Sequence, residues 1–475
     1  MRIILVAAAA ATFLSGAAAI VRTKCRAAAV VAILLAAHAP CAFAALCGDT
    51  SGDGYFTATD ALKTLQLAVA GAYDRRGDVF PVTGSGAGDG KLGATDALVT
   101  LKAAVAGTIP PCHGADAHRA VVTTAAADFS SAGLAVMDVA SRSFTFRAGA
   151  LETDSVIRAP QGIPVVVNRN GYDTLQYLDV DDPLLPNEKE CSVSGGFDSN
   201  TQDVAFVSTQ KGYVTAYAGS SLLTIDPSVL FDTSSDPACN GIVTGQIYLG
   251  DYGTNHVPQM DEMALVGSDL FVSLQLLDNL QPDVNGLLVV IDTTTDTVKT
   301  TIPLSFENPF AMTKGLPYDE FQKLLFTGGP GKIVPTHQGE DVLHDGGIEA
   351  IDPATFTSRG LVLSGADLGA NIFDFVIVGS SRAFAIIADD KSNSVVDIDL
   401  STRTVRRTVL SSTAVISDIE MTETGEVWVA YRGKKDDPAG VRIFRAGNDR
   451  QSEDAELTAK PIALGQAPFT LAFVQ

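Results

Sequence analysis

The chain has 475 residues, with 55 acidic and 33 basic side chains and a formal net charge of −22. So large an acidic excess repels phosphate backbones and anionic lipid headgroups, which argues against nucleic acids and membrane surfaces as partners. A hydrophobic content of 46% excludes a disordered chain, while 43 glycines, 21 prolines and only 19% charged residues favour a turn-rich β protein over a helical bundle.

The first 44 residues contain four basic residues and no acidic one. A basic cluster at Arg22–Arg26 precedes the apolar run Ala27–Ala37, and Ala42-Phe43-Ala44 supplies small residues for cleavage after Ala44. This pattern predicts a secretory signal over residues 1–44 and an exported protein, secreted or at the cell surface, with no membrane span after cleavage. The apolar stretch Ile3–Ile20 leaves three alternatives open: an unusually long signal, a later start of translation, or a retained transmembrane hairpin.

Cleavage would change the net charge from −22 to −26 and leave four of the six cysteines. These are Cys47, Cys112, Cys191 and Cys239. An even number in an exported protein predicts two disulfides. The sequence leaves the pairing open, although the positions suggest Cys47–Cys112 and Cys191–Cys239.

A segment between Cys47 and Cys112 is duplicated at an offset of 36 residues. Residues 59–71 and 95–107 are identical at 10 of 13 positions. Each copy has apolar residues at helical spacing and ends in glycine, the residue that most easily adopts the left-handed conformation after a helix. The duplication therefore predicts two units, each a loop followed by a helix of about three turns.

The loop before the first helix, Asp49–Asp60, has oxygen-bearing side chains at positions 1, 3, 5, 9 and 12 and glycine at position 6. This is the pattern of a calcium loop, because Ca²⁺ takes several oxygen ligands and alternate residues of a tight loop point inward. The predicted ligands are Asp49, Ser51, Asp53, the carbonyl of Tyr55, Thr57 (directly or through water) and Asp60. The alternative is a surface turn rich in Asp and Gly.

The second loop, Ser85–Asp96, carries fewer ligands. It keeps Asp89 and Asp96, but Ser85 stands where the first loop has its first carboxylate, and Ala87 has no side-chain oxygen. We expect either weak calcium binding there or a degenerate loop supported by its partner.

Residues 47–112, with Asp at loop position 12 and an apolar residue at position 8, resemble a type I dockerin. The resemblance implies a small α module that holds two Ca²⁺ ions and attaches to a cohesin on a scaffold protein or cell surface. In that family loop positions 10 and 11 help to select the cohesin. Here they are Ala58-Thr59 and Ala94-Thr95, the same in both halves, which suits binding in either orientation.

From about residue 118 onward, short β-branched runs that end in Asp alternate with small polar turns. Six such units end at Asp138, Asp179, Asp226, Asp292, Asp352 and Asp399, and a degenerate seventh centres on Ile443-Phe444, at steps of 41 to 66 residues. Strand units at this period predict a seven-bladed β-propeller, in which each blade covers its neighbour. We expect each Asp to cap its turn by accepting backbone amides.

The two ends of this region complement each other. The segment Ile462–Phe473 has the pattern of the close of one blade followed by an innermost strand, whereas Ala120–Phe144 reads as a blade that lacks one. Their pairing would close the ring and remove open sheet edges. The repeat is WD40-like in length and resembles the YVTN-type propellers of surface-layer and quinoprotein-like families, a resemblance that implies a fold and no particular chemistry.

Motifs for nucleophilic, zinc or phosphate chemistry are not found in the propeller sequence. The most suggestive stretch is Thr336–Gly347, in which His337, Glu340 and His344 could ligate a metal or act as acid and base, with a solvated loop as the alternative. His256 is interpreted as a structural residue of a loop between blades. The acidic segment Asp179–Glu190 is interpreted as a solvated insertion, with a cation site as the alternative.

The domains are predicted as a signal peptide at 1–44, a dockerin-like calcium module at 45–115 and the propeller at 118–475. The leading hypothesis is a non-catalytic surface protein whose first module binds a cohesin-type partner and whose propeller binds a protein or glycan. The alternative is a propeller enzyme (hydrolase, lyase or lactonase, acting for example on polysaccharide), favoured if His256, His337, Glu340 and His344 converge on the axis. A third possibility is a surface-layer component without a specific ligand.

Overall fold

The computed structural model describes residues 48–51, 57–72, 77, 79, 82–83, 86–87, 91–106, 119–179, 189–194, 199–231, 239–278, 281–282, 284–310, 318–319, 324–331, 344–389, 391–422, 424–446 and 455–474. All of them belong to one unit of the chain, Ala42–Gln475. The predicted signal peptide lies outside the described residues.

The duplicated segment contains two helices, α1 (Ala58–Ala70) and α2 (Ala94–Ala106), with the short strands β1 (Val82–Thr83) and β2 (Gly86–Ala87) between them. Helix α1 begins at a capping box, because the Thr57 hydroxyl accepts from the Thr59 amide and the Asp60 carboxylate accepts from the Thr57 amide. It ends at Gly71, whose φ of 67° is the left-handed conformation predicted for a terminating glycine.

The two helices pack against each other through small residues. Ala61 and Thr64 of α1 are buried, as are their duplicates Ala97 and Thr100 of α2. Small side chains let the helix backbones approach closely, and the buried positions described in the two helices carry short side chains.

The described chain from Arg119 onward forms seven antiparallel sheets of four strands, which are the blades. Blade 1 contains β3 (Arg119–Ala125), β4 (Ala132–Asp138) and β5 (Phe144–Ala148), and its fourth strand comes from the C-terminal end of the propeller sequence. Blade 2 contains β6 (Ser155–Arg158), β7 (Val165–Asn168), β8 (Thr174–Tyr177) and β9 (Lys189–Ser192). Blade 3 contains β10 (Thr201–Ser208), β11 (Lys211–Ala216), β12 (Ser221–Ile225) and β13 (Val243–Tyr248). Blades 4 and 5 contain β14 (Met260–Val266), β15 (Asp269–Leu274), β16 (Asn285–Asp292), β17 (Thr297–Glu307); and β18 (Tyr318–Asp319), β19 (Leu324–Gly329), β20 (Gly347–Asp352), β21 (Thr357–Ser364). Blade 6 contains β22 (Asn371–Gly379), β23 (Arg382–Ala388), β24 (Asn393–Asp399) and β25 (Thr404–Ser412). Blade 7 contains β26 (Ile416–Met421), β27 (Glu426–Tyr431), β28 (Gly440–Arg445) and β29 (Ala455–Glu456). The last strand, β30 (Ala467–Val474), belongs to blade 1.

Short helices occur in the connections between strands. They are α3 (Pro227–Phe231), α4 (Gly365–Leu368) and the 3₁₀ turns Pro160–Gly162, Gly250–Tyr252 and Thr254–His256.

The ring closes as the sequence predicts. Strand β30 pairs antiparallel with β3 and becomes the innermost strand of blade 1, with Leu471 opposite Val122. The isolated bridge between Val441 and Ile462 confirms that the chain just before β30 belongs to blade 7. Blade 1 is thus built from both ends of the propeller sequence.

Apolar clusters fill the spaces between neighbouring blades, as the near-continuous β-branched runs of the strands require. At the closure, Val122 and Met137 of blade 1 pack with Trp428 and Ile443 of blade 7. The ring of Trp428 meets that of Phe473 edge-on at a centroid distance of 5.3 Å.

The seven sequence units correspond to the third strand of each blade, which confirms the predicted blade count. Five of the unit aspartates accept backbone amides two or three residues further on: Asp138 from Ser141, Asp226 from Ser228, Asp292 from Thr294, Asp352 from Ala354 and Asp399 from Ser401. Hydrogen bonds to the turn, from Thr294 at Asp292 above all, lower the carboxyl pKa of Asp292. The turn aspartates are therefore structural, as expected.

The predicted disulfide between Cys191 and Cys239 is present, with the two Cα atoms 5.5 Å apart. It links β9, the outermost strand of blade 2, to the residue that precedes the turn into β13 of blade 3. Cys47 and Cys112 lie outside the described residues. In the described part of the chain, no helix is long and apolar enough to cross a membrane.

Candidate functional sites: a calcium loop and an axial carboxylate cluster

The first loop brings three of its predicted ligands together. Asp49 and Asp60 are fully buried. Ser51 lies between them, since its hydroxyl donates to Asp49 Oδ1 at 3.1 Å and its backbone amide donates to Asp60 Oδ1 at 2.9 Å. Loop positions 1, 3 and 12 are therefore joined by hydrogen bonds.

The fourth described ligand, Thr57 at position 9, joins the same group. Its amide donates to Asp60 Oδ2 at 2.7 Å and its hydroxyl to the same oxygen at 3.3 Å. Buried carboxylates of this kind fit a bound cation, because a divalent ion offsets the cost of burying their charge.

The remaining predicted ligands Asp53, Tyr55 and Asp89 lie outside the described residues. Within the part of the chain that is described, no three Asp, Glu, His or Cys side chains form a group that could hold a metal. The calcium assignment of the loop therefore stays a prediction.

The second loop does not align with the first at the 36-residue offset that relates the two helices. Asp96 accepts the amide of Gly93 at 2.9 Å, as Asp60 accepts that of Thr57. The second amide comes from Val79, 17 residues before Asp96, whereas Ser51 is 9 residues before Asp60. The hairpin of β1 and β2 lies in this longer stretch, so the second loop is entered earlier in the chain than at Ser85.

Each helix of the duplicated segment presents an apolar stripe to solvent, which the sequence analysis did not identify. The stripe residues are 40% to 83% exposed and occupy equivalent positions: Leu62, Leu65 and Val69 on α1, and Leu98, Leu101 and Val105 on α2. Spacings of three and four residues place the members of each stripe on one face of their helix. The module thus exposes two copies of one surface.

A second group of functional candidates lies on the innermost strands of blades 2, 3 and 4, and we call it the axial cluster. Its members are Arg158, Asp203, Asp261 and Glu262. Arg158 Nε lies 2.9 Å from Asp203 Oδ1, and its Nη2 lies 3.2 Å from Glu262 Oε1. These three side chains are at most 3% exposed, so their charges interact without solvent between them.

Asp261, next to Glu262 on β14, is held by a relay of polar side chains. The amide group of Gln275 donates to its carboxylate, and the hydroxyl of Tyr217 donates to Gln275 Oε1 at 3.1 Å. Burial raises the pKa of Asp261 to about 7, and burial with the charge of Asp261 raises the pKa of Tyr217 to about 12. Asp261 therefore exchanges a proton near neutral pH.

Glu262 is perturbed in the same direction. Burial raises its pKa well above the ordinary value and Arg158 opposes the change, while the carboxylates of Asp203, Asp261 and Asp374 raise it further. Its Oε2 is buried without a hydrogen-bond partner in the described structure. Two neighbouring carboxyls with raised pKa values are able to give and take protons, which is the chemistry of a general acid or base.

The histidine candidates are not brought together in the described part of the chain. His344 bonds Asn371, the first residue of the innermost strand of blade 6, at 3.2 Å. The side chain of His256 is 72% exposed and bonds Tyr248 on the outermost strand of blade 3. His337 and Glu340 lie outside the described residues, as does most of the acidic segment 179–190.

Sequence reasoning missed the axial cluster. The available signal was charge inside apolar strands, since Asp203 precedes Val-Ala-Phe and Asp261-Glu262 precedes Met-Ala-Leu. A carboxylate at the start of a buried run has to be paired or protonated. The partner Arg158 is over 40 residues from Asp203, and only the packing of two adjacent blades brings them together.

No family model matches the chain, and no curated protein matches it. Among solved structures the chain is similar to the dihydro-heme d1 dehydrogenase NirN in complex with DHE, with 12% identity, coverage of 76% of each chain and a TM-score of 0.46. It is also similar to apo AztD from Citrobacter koseri (11% identity, 74% of this chain and 96% of that one, TM-score 0.40) and to streptogramin B lyase (14%, 67% and 91%, 0.42).

These TM-scores are all below 0.5, so the seven-bladed architecture is concluded from the sheets of this chain itself. The resemblance of residues 47–112 to a dockerin gains no support from the family comparison. It remains a prediction.

Proposed function

We propose that this chain is an exported modular binding protein. Its module at 45–115 binds Ca²⁺ and attaches to a cohesin-type partner on a scaffold or cell surface, and its propeller binds a protein or glycan without catalysis. The observation that carries the first half is the convergence of Asp49, Ser51 and Asp60 at the start of α1. Export is supported by the Cys191–Cys239 disulfide, since such bonds persist in oxidising compartments.

Attachment to a partner is supported by the two exposed stripes. A monomeric protein rarely leaves apolar residues contiguous and open to water unless they contact something. Because the stripes are duplicates, a partner that fits one of them also fits the other. This agrees with the two-orientation binding that the dockerin resemblance implies.

Calcium titration of the full chain by calorimetry tests the first half. We expect binding in the wild type and its loss in Asp49→Ala, because a carboxylate at loop position 1 is removed. Asp367→Ala is the control, because it removes an aspartate of a capping box at α4, comparable to Asp60 at α1, that lies outside the loop. Wild-type protein that binds no calcium would refute the calcium module.

Capture of surface proteins from the native cells, with and without a calcium chelator, tests attachment. Leu62→Ser and Leu98→Ser should each leave capture largely intact, because the other stripe remains, and the double variant should abolish it. Val415→Ser, an exposed valine of the propeller, is the control. Capture that survives in the double variant contradicts docking through the stripes.

Catalysis in the propeller is a second candidate function, favoured by the perturbed carboxyls Asp261 and Glu262. A hydrolase, lyase or lactonase needs a group that transfers a proton near its working pH. A screen of polysaccharide and lactone substrates that finds turnover in the wild type, lost in Asp261→Asn, would establish it. Turnover unchanged by that substitution would exclude the axial cluster as the site.

A further inference from the structure

The axial cluster contains more negative than positive groups. Arg158 is the cation in direct contact with Asp203 and Glu262, and Asp261 adjoins them on β14. If all three carboxyls were ionised, Arg158 would leave a net charge of about −2 in a buried site, which costs far more than holding protons. The unpartnered Oε2 of Glu262 is where such a proton would sit.

The charged groups that face Glu262 come from several elements. Arg158 on β6 attracts its charge, while Asp203 on β10, Asp261 on β14 and Asp374 on β22 repel it. Arg169, in the turn after β7, acts on Asp261 and is itself paired with Asp154 at 2.6 Å. The remaining contacts of β14 in this region are neutral: Ser273 hydrogen-bonds the backbone of Glu262, and Gln275 bonds Asp261.

We propose that the axial cluster is a buried proton-binding site, in which Asp261 and Glu262 hold protons in the folded propeller at mildly acidic to neutral pH and release them as the medium becomes alkaline. Release leaves carboxylates that repel one another between blades 3 and 4. The ligand of this site is the proton itself, and loss of the protons weakens the contact between blades 3 and 4 as the pH rises.

The direction of the stability change follows from the two states of each carboxyl. An unfolded Asp or Glu titrates near pH 4, whereas folded Asp261 has a pKa of about 7 and that of Glu262 is raised well above its ordinary value. The folded protein therefore binds more protons than the unfolded one between these values. The stability from this site is complete below about pH 4 and is lost as the pH rises through the folded pKa values.

Urea unfolding of the full chain at a series of pH values tests the proposal, since the slope of stability against pH counts the protons taken up on folding. Asp261→Asn and Glu262→Gln should each reduce that uptake between pH 5 and pH 7 by about one proton. Asp292→Asn is the control: turn hydrogen bonds lower the pKa of Asp292, so this residue is ionised in both states between pH 5 and pH 7 and its substitution should leave the uptake unchanged. An uptake equal to that of the wild type in both cluster variants overturns the proposal.

A measurement on the wild type keeps the test decisive if a variant fails to fold. Infrared difference spectra across a pH titration of the folded protein should show the carbonyl band of a protonated carboxylic acid at pH 6, and its loss at alkaline pH. Absence of that band at pH 6 overturns the proposal as well.

Discussion

The carboxylate of Asp203 on blade 3 accepts the backbone amide of Met263 on blade 4, at 2.7 Å. The same kind of bond joins three other pairs of neighbouring innermost strands: Asp374 to Ile419, Asp418 to Leu471 and Thr470 to Ile157. Two of the acceptors, Asp418 and Thr470, lie one position before the amide that the preceding blade bonds, which is that of Ile419 or Leu471. Polar side chains thus tie four pairs of neighbouring blades together near the axis, and the axial cluster, which contains Asp203, adds charged contacts to one of these ties.

Asp418→Ala is expected to lower the free energy of unfolding by about 1–3 kcal/mol, because the buried amide of Leu471 loses its acceptor. Urea unfolding followed by circular dichroism measures the change. Asp436→Ala, an exposed aspartate of the same blade, should be close to neutral. Equal effects of the two substitutions would show that the ties do not stabilise the ring.

Arg158→Met is expected to cost about 3–5 kcal/mol, since Asp203 would remain buried without its cation and Glu262 would lose the hydrogen bond from Arg158 Nη2. Its control is Arg359→Met, because Arg359 is 59% exposed where it pairs with Asp352, and such pairs contribute about 0–1 kcal/mol. Both are measured by urea unfolding at pH 7. A small loss at Arg158 would mean that the carboxyls are neutralised without it.

The blade count and the closure by the C-terminal strand were predictable, because each leaves a local mark in the sequence, whereas the Cys191–Cys239 pairing was only suggested by position. A third strand that ends in Asp, as at Asp292, repeats in every blade but the last. The axial cluster was not predictable, since its members come from three blades and each looks like an isolated charge in an apolar run. Pairing of this kind depends on how consecutive blades pack against each other near the axis, which no local pattern encodes.

The register of the second calcium loop illustrates a different limit. The two helices align at an offset of 36 residues, and the sequence analysis applied the same offset to the loops before them. The hairpin of β1 and β2 lies within the second loop, so the offset does not hold there. The Gly-Asp pair at 48–49 recurs at 77–78, and this weaker signal marks the entry that the bond from Val79 to Asp96 supports. Insertions keep the contacts at both ends of a loop while changing the residue count between them.

Removal of the disulfide by Cys191→Ala with Cys239→Ala is expected to cost about 2–4 kcal/mol, because the bond closes a loop of 48 residues in the unfolded chain. Thermal unfolding with and without reductant measures it. Because the double variant lacks Cys191 and Cys239, any further loss of stability that reductant causes in it would report on the predicted Cys47–Cys112 disulfide. A double variant as stable as the wild type would show that blades 2 and 3 are held by packing alone.

Deletion of residues 466–475 is expected to open the ring, because β3 loses its partner β30 and Trp428 loses the cover of Phe473. Trp428 is the single tryptophan of the chain and is fully buried, so its fluorescence should shift to the red. A synthetic peptide of residues 466–475 should restore the emission by adding a strand to the exposed edge. The same peptide with Thr470→Pro should fail, because proline cannot donate the bond that Thr470 makes to the Thr123 hydroxyl. Restoration by both peptides would mean that apolar burial of Trp428, and not strand pairing, closes the propeller.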